Sequence, residues 1–408
     1  MPIISFRASS STARSGKSKS VALHLLLLVL SWLATTSAIA APRIGVITMQ
    51  PGGIFWERFG HNALVVDDPA NGPPISYNFG FFNLDEPGFF GRFARGEMEY
   101  ELVALPLEQD LAYYREVGRG VSLQWLDLDP VQATRLAAAL ADNARPENAR
   151  YRYDYFTDNC STRVRDALDL ALGGALQQQM SARSQGNTYR SEAVRLASPA
   201  GWMWLGFDIG LGPYADRPLA RWQEAFVPMR LADSLREARL ADGRPLVVSE
   251  TELLPHRIAP EPAEAPRRWW PWALAGLALA TSIVLAGPRR LRLVAGLALP
   301  LWTLCGILGL VLAFIWCCTV HRAGWANHNL LLMNPLCLLL LPGGWRVARA
   351  RAPGKWFGRS LVVVAVGAVA ALALQLLPDA QYAAPWIALL LPVHVAFAWV
   401  WTRPRPSA

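Results

Sequence analysis

Five apolar stretches, at roughly residues 269–287, 293–316, 327–344, 360–377 and 384–402, fill most of the chain after Trp269. At about 1.5 Å rise per residue, each can cross a hydrocarbon core of roughly 30 Å as a helix. In lipid every backbone N–H and C=O must be satisfied within the protein, so these stretches are expected to form an all-α, five-span membrane domain over residues 265–408. Residues 1–40 carry Arg7, Arg14, Lys17 and Lys19 and no acid, then VALHLLLLVLSWLATTSAIA ending on Ala38-Ile39-Ala40. That is the pattern of a secretory signal peptide. No cysteine stands where a bacterial lipoprotein would be lipidated, which leaves cleavage after about Ala40, or retention as an anchor.

Residues 41–264 are then an exported domain, with PEPAEAPRR (260–268) as the linker into the membrane. If that domain lies outside the cytoplasm, the cytoplasmic segments are GPRRLR, WRVARARAPGKWFGR and the tail TRPRPSA. These are the arginine-rich ones, as the positive-inside rule requires. The opposite connections, CCTVHRAGWANHN and PDAQYAA, hold one arginine between them. The expected location is a bacterial inner membrane with the exported domain in the periplasm.

The formal charge of +8 is unevenly placed. Residues 265–408 hold thirteen Lys and Arg against one acid, whereas residues 41–264 hold twenty-two Arg against thirty acids. The basic excess belongs to membrane orientation, so it gives no nucleic-acid partner.

The exported domain reads as α+β. RIGVITM, HNALVVDD, PISYNFGFF and LQWLDLD have strand character, separated by Pro, Gly, Asn and Asp breaks. Helices are expected at about 107–118, over VQATRLAAALADNA after Pro130, and over STRVRDALDLAL, which stops at Gly173-Gly174.

That last helix begins in FTDNCSTRVRD, which holds the only cysteine before Cys305. An exported domain meets an oxidising compartment, where cysteines usually pair, so a lone thiol calls for a reason. Asp158 is the expected N-cap, placing Cys160 in the first turn. There the positive end of the helix dipole favours a thiolate. A nucleophilic cysteine needs a base, normally His. Residues 41–264 offer His61, at the start of a strand, and His256, just before the linker. His61 is the candidate, with Asn78 the first choice to orient the imidazole and Asp67 and Asp85 as alternatives. Against this stands the plainer reading of Cys160 as a small buried hydrophobe and His61 as a satisfied core or surface residue.

GHNALVV, YNFGFF, FFGRFARGEMEYEL, DNCSTRVRD, TYR at 188–190 and WLGFDIGLGPYADRP together resemble the periplasmic domain of the Lnb-type bacterial lipoprotein N-acyltransferases. HRAGWANHNLLLMNPL resembles that family's Asn-rich segment before an Asn-Pro in a span. The resemblance implies a permuted papain-like domain, similar to NlpC and lecithin:retinol acyltransferase folds. It also implies Cys160 as nucleophile and His61 as base; no cofactor is expected, and no metal, since His321 and His328 have no third ligand at useful spacing. An acyl chain would pass from a membrane phospholipid to Cys160 and on to the α-amino group of a diacylglyceryl-cysteine lipoprotein. Asn159, Arg163 and Asp216 occupy motif positions and become candidates for substrate binding, although Arg163 also has Asp158 and Asp166 as ion-pair partners. In the membrane part, Asn327, His328, Asn329 and Asn334 are candidates for lipid handling, since polar residues in spans are costly. Helix–helix hydrogen bonding would equally account for Asn334. The alternative activity is a periplasmic cysteine hydrolase acting on peptidoglycan peptides or lipid.

Overall fold

A computed structural model of the chain describes residues 41–403; the expected signal peptide lies outside the described residues. The first domain is built on a seven-stranded antiparallel sheet in the order β6-β4-β3-β2-β1-β5-β7. The strands are β1 (Arg43–Met49), β2 (His61–Asp67), β3 (Ile75–Phe81), β4 (Glu99–Pro106), β5 (Val121–Leu126), β6 (Arg150–Arg152) and β7 (Val247–Leu254). β1 and β2, in the middle, are almost wholly buried and read as continuous apolar runs because both sheet faces are covered. One face packs Leu64, Val66 and Leu102 against Leu136, Leu140, Val164 and Leu168. The other packs Ile47, Ala63 and Val65 against Leu111 and Tyr114 of the helix Leu107–Val117.

Three strands, β4, β6 and β7, escape the sequence reading. β7 is an edge strand whose VVSETELL is mostly exposed, so it has no apolar face to announce it. β4 follows the short helix Phe89–Arg95 after the Gly96 turn, and β6 is only three residues long, too short for a period to show. The helix Pro130–Asn143 forms as its sequence demands, with Asp129 accepting from the N–H groups of Val131 and Gln132 and proline in the first turn.

Five stretches of the second domain are long and apolar enough to span a membrane. The first two form one run, Trp270–Cys318, broken at Arg290 (φ −131°, ψ 42°) within the basic GPRRLR segment. The third is not one regular α-helix. It proceeds through 3₁₀ turns at His328–Leu331 and Pro335–Leu340 into the helix Leu341–Ala348. Pro335 has no N–H to continue a helix, and Asn334 Oδ1 accepts from Leu336 N instead (3.0 Å). The remaining spans are Phe357–Ala373, extended by a 3₁₀ turn, and Ala384–Thr402.

The domains are bolted together at the segment between the second and third spans. Val320 N donates to Arg95 O (2.9 Å), and His321 Nε2 lies 3.0 Å from Phe93 O. Gly212 N donates to Ala323 O (2.6 Å), while Asn327 Nδ2 donates to Ile209 O (2.8 Å) and Leu211 O (3.0 Å). Thus both the Phe89–Arg95 helix and the end of the Gly201–Gly210 helix rest on the membrane domain.

Candidate active site

The β1–β2 connection ends at Gly60, whose φ of +77° and position against Met49 O exclude a side chain; an added Cβ would stand 2.8 Å from that oxygen. The turn delivers His61 to the first position of β2, paired with Met49. β3 runs antiparallel beside it, with Leu64 opposite Tyr77. Asn78 therefore reaches His61 diagonally on the same sheet face, and its Oδ1 lies 3.1 Å from His61 Nε2.

Asn78 is itself held. Its Nδ2 donates to Ser76 Oγ (3.0 Å) and to Asp110 Oδ2 (2.9 Å), and Ser76 Oγ donates to the same carboxylate oxygen (2.6 Å). An amide whose NH₂ is committed to a carboxylate must turn its oxygen to the imidazole. His61 Nε2 then carries a proton toward Asn78, leaving Nδ1 for the thiol. Asp67 and Asp85 have no part in this: Asp67 pairs with Arg43 at the far end of β2, and Asp85 sits in the exposed loop after β3.

Asp110 was missed by sequence reasoning, but a signal existed. Leu107, Asp110, Leu111 and Tyr114 follow helical spacing, so a carboxylate sits on the apolar stripe, where a charge needs a partner. Replacing Asp110 with Asn is expected to lower turnover about a hundredfold, because Asn78 loses what fixes its orientation and the imidazole is misplaced. KM should change little. Steady-state kinetics of the variant check this, and unchanged turnover would remove Asp110 from the relay.

Cys160 opens the helix Cys160–Ala171, and Val164 and Leu168 on the same side are wholly buried in the core. The cap is Asn159 rather than Asp158. Asn159 Oδ1 accepts from Thr162 N (2.9 Å), Thr162 Oγ1 accepts from Asn159 N (2.8 Å), and Asn159 Nδ2 donates to Tyr155 O and Phe226 O (both 2.9 Å). An amide can both accept and donate in this buried position, which a carboxylate cannot. Ser161 Oγ, 2.8 Å from Asn62 Oδ1 and 2.6 Å from Ala225 O, ties the same turn to β2. Opposite the thiol, Gly80 (φ +95°) interrupts β3 where the β3–β4 register shifts, and a Cβ there would stand 3.7 Å from Cys160 Cβ. The bulge lays the β3 backbone alongside the thiol.

Burial pushes the Cys160 thiol up. The His61 imidazolium, its hydrogen bond and the backbone N–H groups of Asn62 and Ser161 oppose that, and the net shift is downward. Burial likewise pushes His61 down, but the Cys160 thiolate, its hydrogen bond and the Asp110 carboxylate raise it by more. Each group thus shifts the other toward the thiolate–imidazolium charge state, which would activate a cysteine as nucleophile.

Two family models cover this architecture. The Lnb N-terminal periplasmic domain matches residues 30–195, and the Lnb transmembrane domain matches residues 269–404. The chain belongs to the Lnb family. No curated protein and no solved structure matches it. The Lnb periplasmic match contains Cys160, His61, Asn78 and Asp110, while residues 196–268, including β7 and the Gly201–Gly210 helix, fall between the two matches.

In this Lnb protein several residues expected to bind substrate make structural contacts. Asn159 is the buried cap described above. Arg163 forms an ion pair with Asp158 and lies 4.1 Å over the Tyr151 ring. Asp216 receives Arg190 Nε (2.8 Å) and the backbone N–H of Tyr382 (3.1 Å), so it joins the two Lnb domains. Asn327 donates to the Gly201–Gly210 helix end and accepts from Asn329 N and Gln381 Nε2. Asn334 caps its own turn. His328 Nδ1 and Asn329 Oδ1 are buried without a protein partner among the described residues. His256 accepts from Gly120 N at the start of β5, at the same end of the sheet as His61 but two strands across, beyond β1.

Proposed function

We propose that this Lnb protein is an inner-membrane N-acyltransferase that moves an acyl chain from a phospholipid, through a Cys160 thioester, to the α-amino group of diacylglyceryl-cysteine lipoproteins. Family membership marks it more broadly as a membrane-bound enzyme of lipoprotein modification. One observation carries the finer reading. The end of the sheet that bears His61, Gly80 and the Cys160 helix start is the end docked on the membrane domain, through Phe93 and Arg95 on one side and Ile209 to Gly212 on the other. A cysteine hydrolase of soluble peptides needs no such placement.

The chemistry follows a papain-like order. Cys160 Sγ attacks the ester carbonyl carbon, and backbone N–H groups at the helix start are suited to stabilise the oxyanion. As the C–O bond breaks, the His61 imidazolium gives its proton to the departing lysophospholipid. The lipoprotein amine then attacks the thioester and gives up a proton to neutral His61, and the C–S bond breaks to restore the thiolate. His328 and Asn329, which retain unpartnered buried atoms, are the membrane-domain groups assigned to a lipid headgroup.

The test is complementation. Cells depleted of their essential lipoprotein N-acyltransferase are expected to grow with the wild-type chain and to carry N-acylated lipoproteins by mass spectrometry, and to do neither with Cys160→Ala. Rescue by Cys160→Ala would exclude the thioester route. Release of free fatty acid with unmodified lipoprotein N-termini would identify a hydrolase.

A further inference from the structure

Around the same end of the sheet the periplasmic domain exposes large apolar side chains that a soluble surface would cover. Phe55 is 37% exposed, Trp56 50%, Phe81 55%, Phe90 71% and Trp202 67%. They come from separate parts of the chain yet meet. Phe55 stacks on Trp202 (5.8 Å between centroids), and Trp56 stands edge-on to Phe82 (5.8 Å). Phe55 and Trp56 lie just before His61, and Phe81 directly follows Gly80, which faces Cys160.

The exposure is enforced. Between Trp56 and Arg58, Glu57 is buried, ion-paired with Arg119 (3.3 Å) and accepting a hydrogen bond from Tyr113; its backbone oxygen accepts from Gly52 N (2.9 Å) and Gly60 N (3.0 Å). With the turn anchored inward at Glu57, its two aromatic neighbours are held outward. Contiguous exposed apolar surface kept rigid in this way marks an interaction face. The occupant is indicated by continuity with the spans. On the helix that carries Trp202, Trp204 stacks on Trp272 of the first span (6.3 Å), and Trp272 contacts Trp386 of the last (5.3 Å). The rim thus adjoins the outer ends of the spans, where aromatic rings settle among lipid headgroups.

We propose that Phe55, Trp56, Phe81, Phe90 and Trp202 are inserted in the periplasmic leaflet and form the mouth through which a phospholipid acyl ester reaches Cys160. This rests on the acyltransferase reading for the route, but not for the insertion. The experiment uses the full chain in nanodiscs of phosphatidylethanolamine and phosphatidylglycerol. The photoreactive residue p-benzoylphenylalanine is placed at position 55 or 202, and, as a control, at Leu170, which is 82% exposed near the opposite end of the Cys160 helix. Irradiation should attach phospholipid at 55 and 202 and not at 170. The double variant Phe55→Ser, Trp202→Ser should form acyl-enzyme from nanodisc lipid at least about tenfold more slowly. Its Cys160 should still react with iodoacetamide at the wild-type rate, as the intact fold requires. Lipid adducts absent at 55 and 202, or equal at 170, overturn the insertion. Adducts with unchanged acylation, or a parallel loss of iodoacetamide reactivity, overturn the route. A wild-type chain that forms no acyl-enzyme at all sinks the acyltransferase reading instead, and leaves the adduct pattern to decide the insertion.

Discussion

Replacing His61 with Ala is expected to slow acylation of Cys160 by about a thousandfold, within the range that a lost acid–base group costs. The reason is visible in what acts on the thiol. Burial raises its pKa, and the imidazolium charge and hydrogen bond are the strongest opposing influences. Without His61 burial prevails and the thiolate becomes scarce at neutral pH. The sign can be read by alkylation, since only the thiolate reacts. In the wild type, the iodoacetamide rate at Cys160 should persist as pH falls below the ordinary thiol range, and drop only on passing through the lowered pKa. In His61→Ala the same rise should occur at higher pH than for an ordinary thiol. Identical profiles in the two proteins would mean that the imidazole does not activate the thiol.

The second large effect lies away from the chemistry. Arg190 is fully buried; its Nε meets Asp216 Oδ1 (2.8 Å), and its other nitrogens donate to Asp208 O (2.7 Å), Leu211 O (2.7 Å) and Gly212 O (3.1 Å). Those carbonyls end the helix that rests on Asn327 and Asn329, and Asp216 also accepts from Tyr382 N before the last span. Arg190→Met leaves a nearly buried carboxylate without its cation and removes a donor from three backbone oxygens, of which Leu211 O keeps Asn327 Nδ2 and Gly212 O keeps Ala215 N. The expected loss is about 3–5 kcal/mol, the range for breaking one side of a buried pair. Arg190→Lys should recover little, because an ammonium cannot reproduce the planar fork. Thermal unfolding of the detergent-solubilised chain should show the loss. Protease cleavage in the linker around residues 260–268 should rise as the domains separate. A variant with wild-type unfolding and cleavage would remove Arg190 from the hub.

What could be read in advance follows from where the information sits. The five spans are legible because lipid imposes length and apolarity on each segment alone. β1, β2 and the Pro130–Asn143 helix are legible because burial period and capping chemistry are local. Cys160 and His61 stood out by scarcity, as the lone early cysteine and one of two histidines in residues 41–264. Asn159 was misread in favour of Asp158, since either residue caps a helix in isolation. The decision came from Tyr155 O and Phe226 O, one of them 67 positions away, which require a donor.

The sequence by itself determined that the chain has a mixed α+β domain followed by five spans, and that one thiol lies at a helix start where a thiolate is favoured. Only the tertiary structure decided what surrounds that thiol. Asp110 joins Asn78 and His61 because three elements converge, and Asp216 and Asn327 are taken up by a cation and by carbonyls remote in the chain. Patterns of propensity and hydropathy act over a few residues, whereas the partner of a buried polar group is chosen by packing across the whole fold.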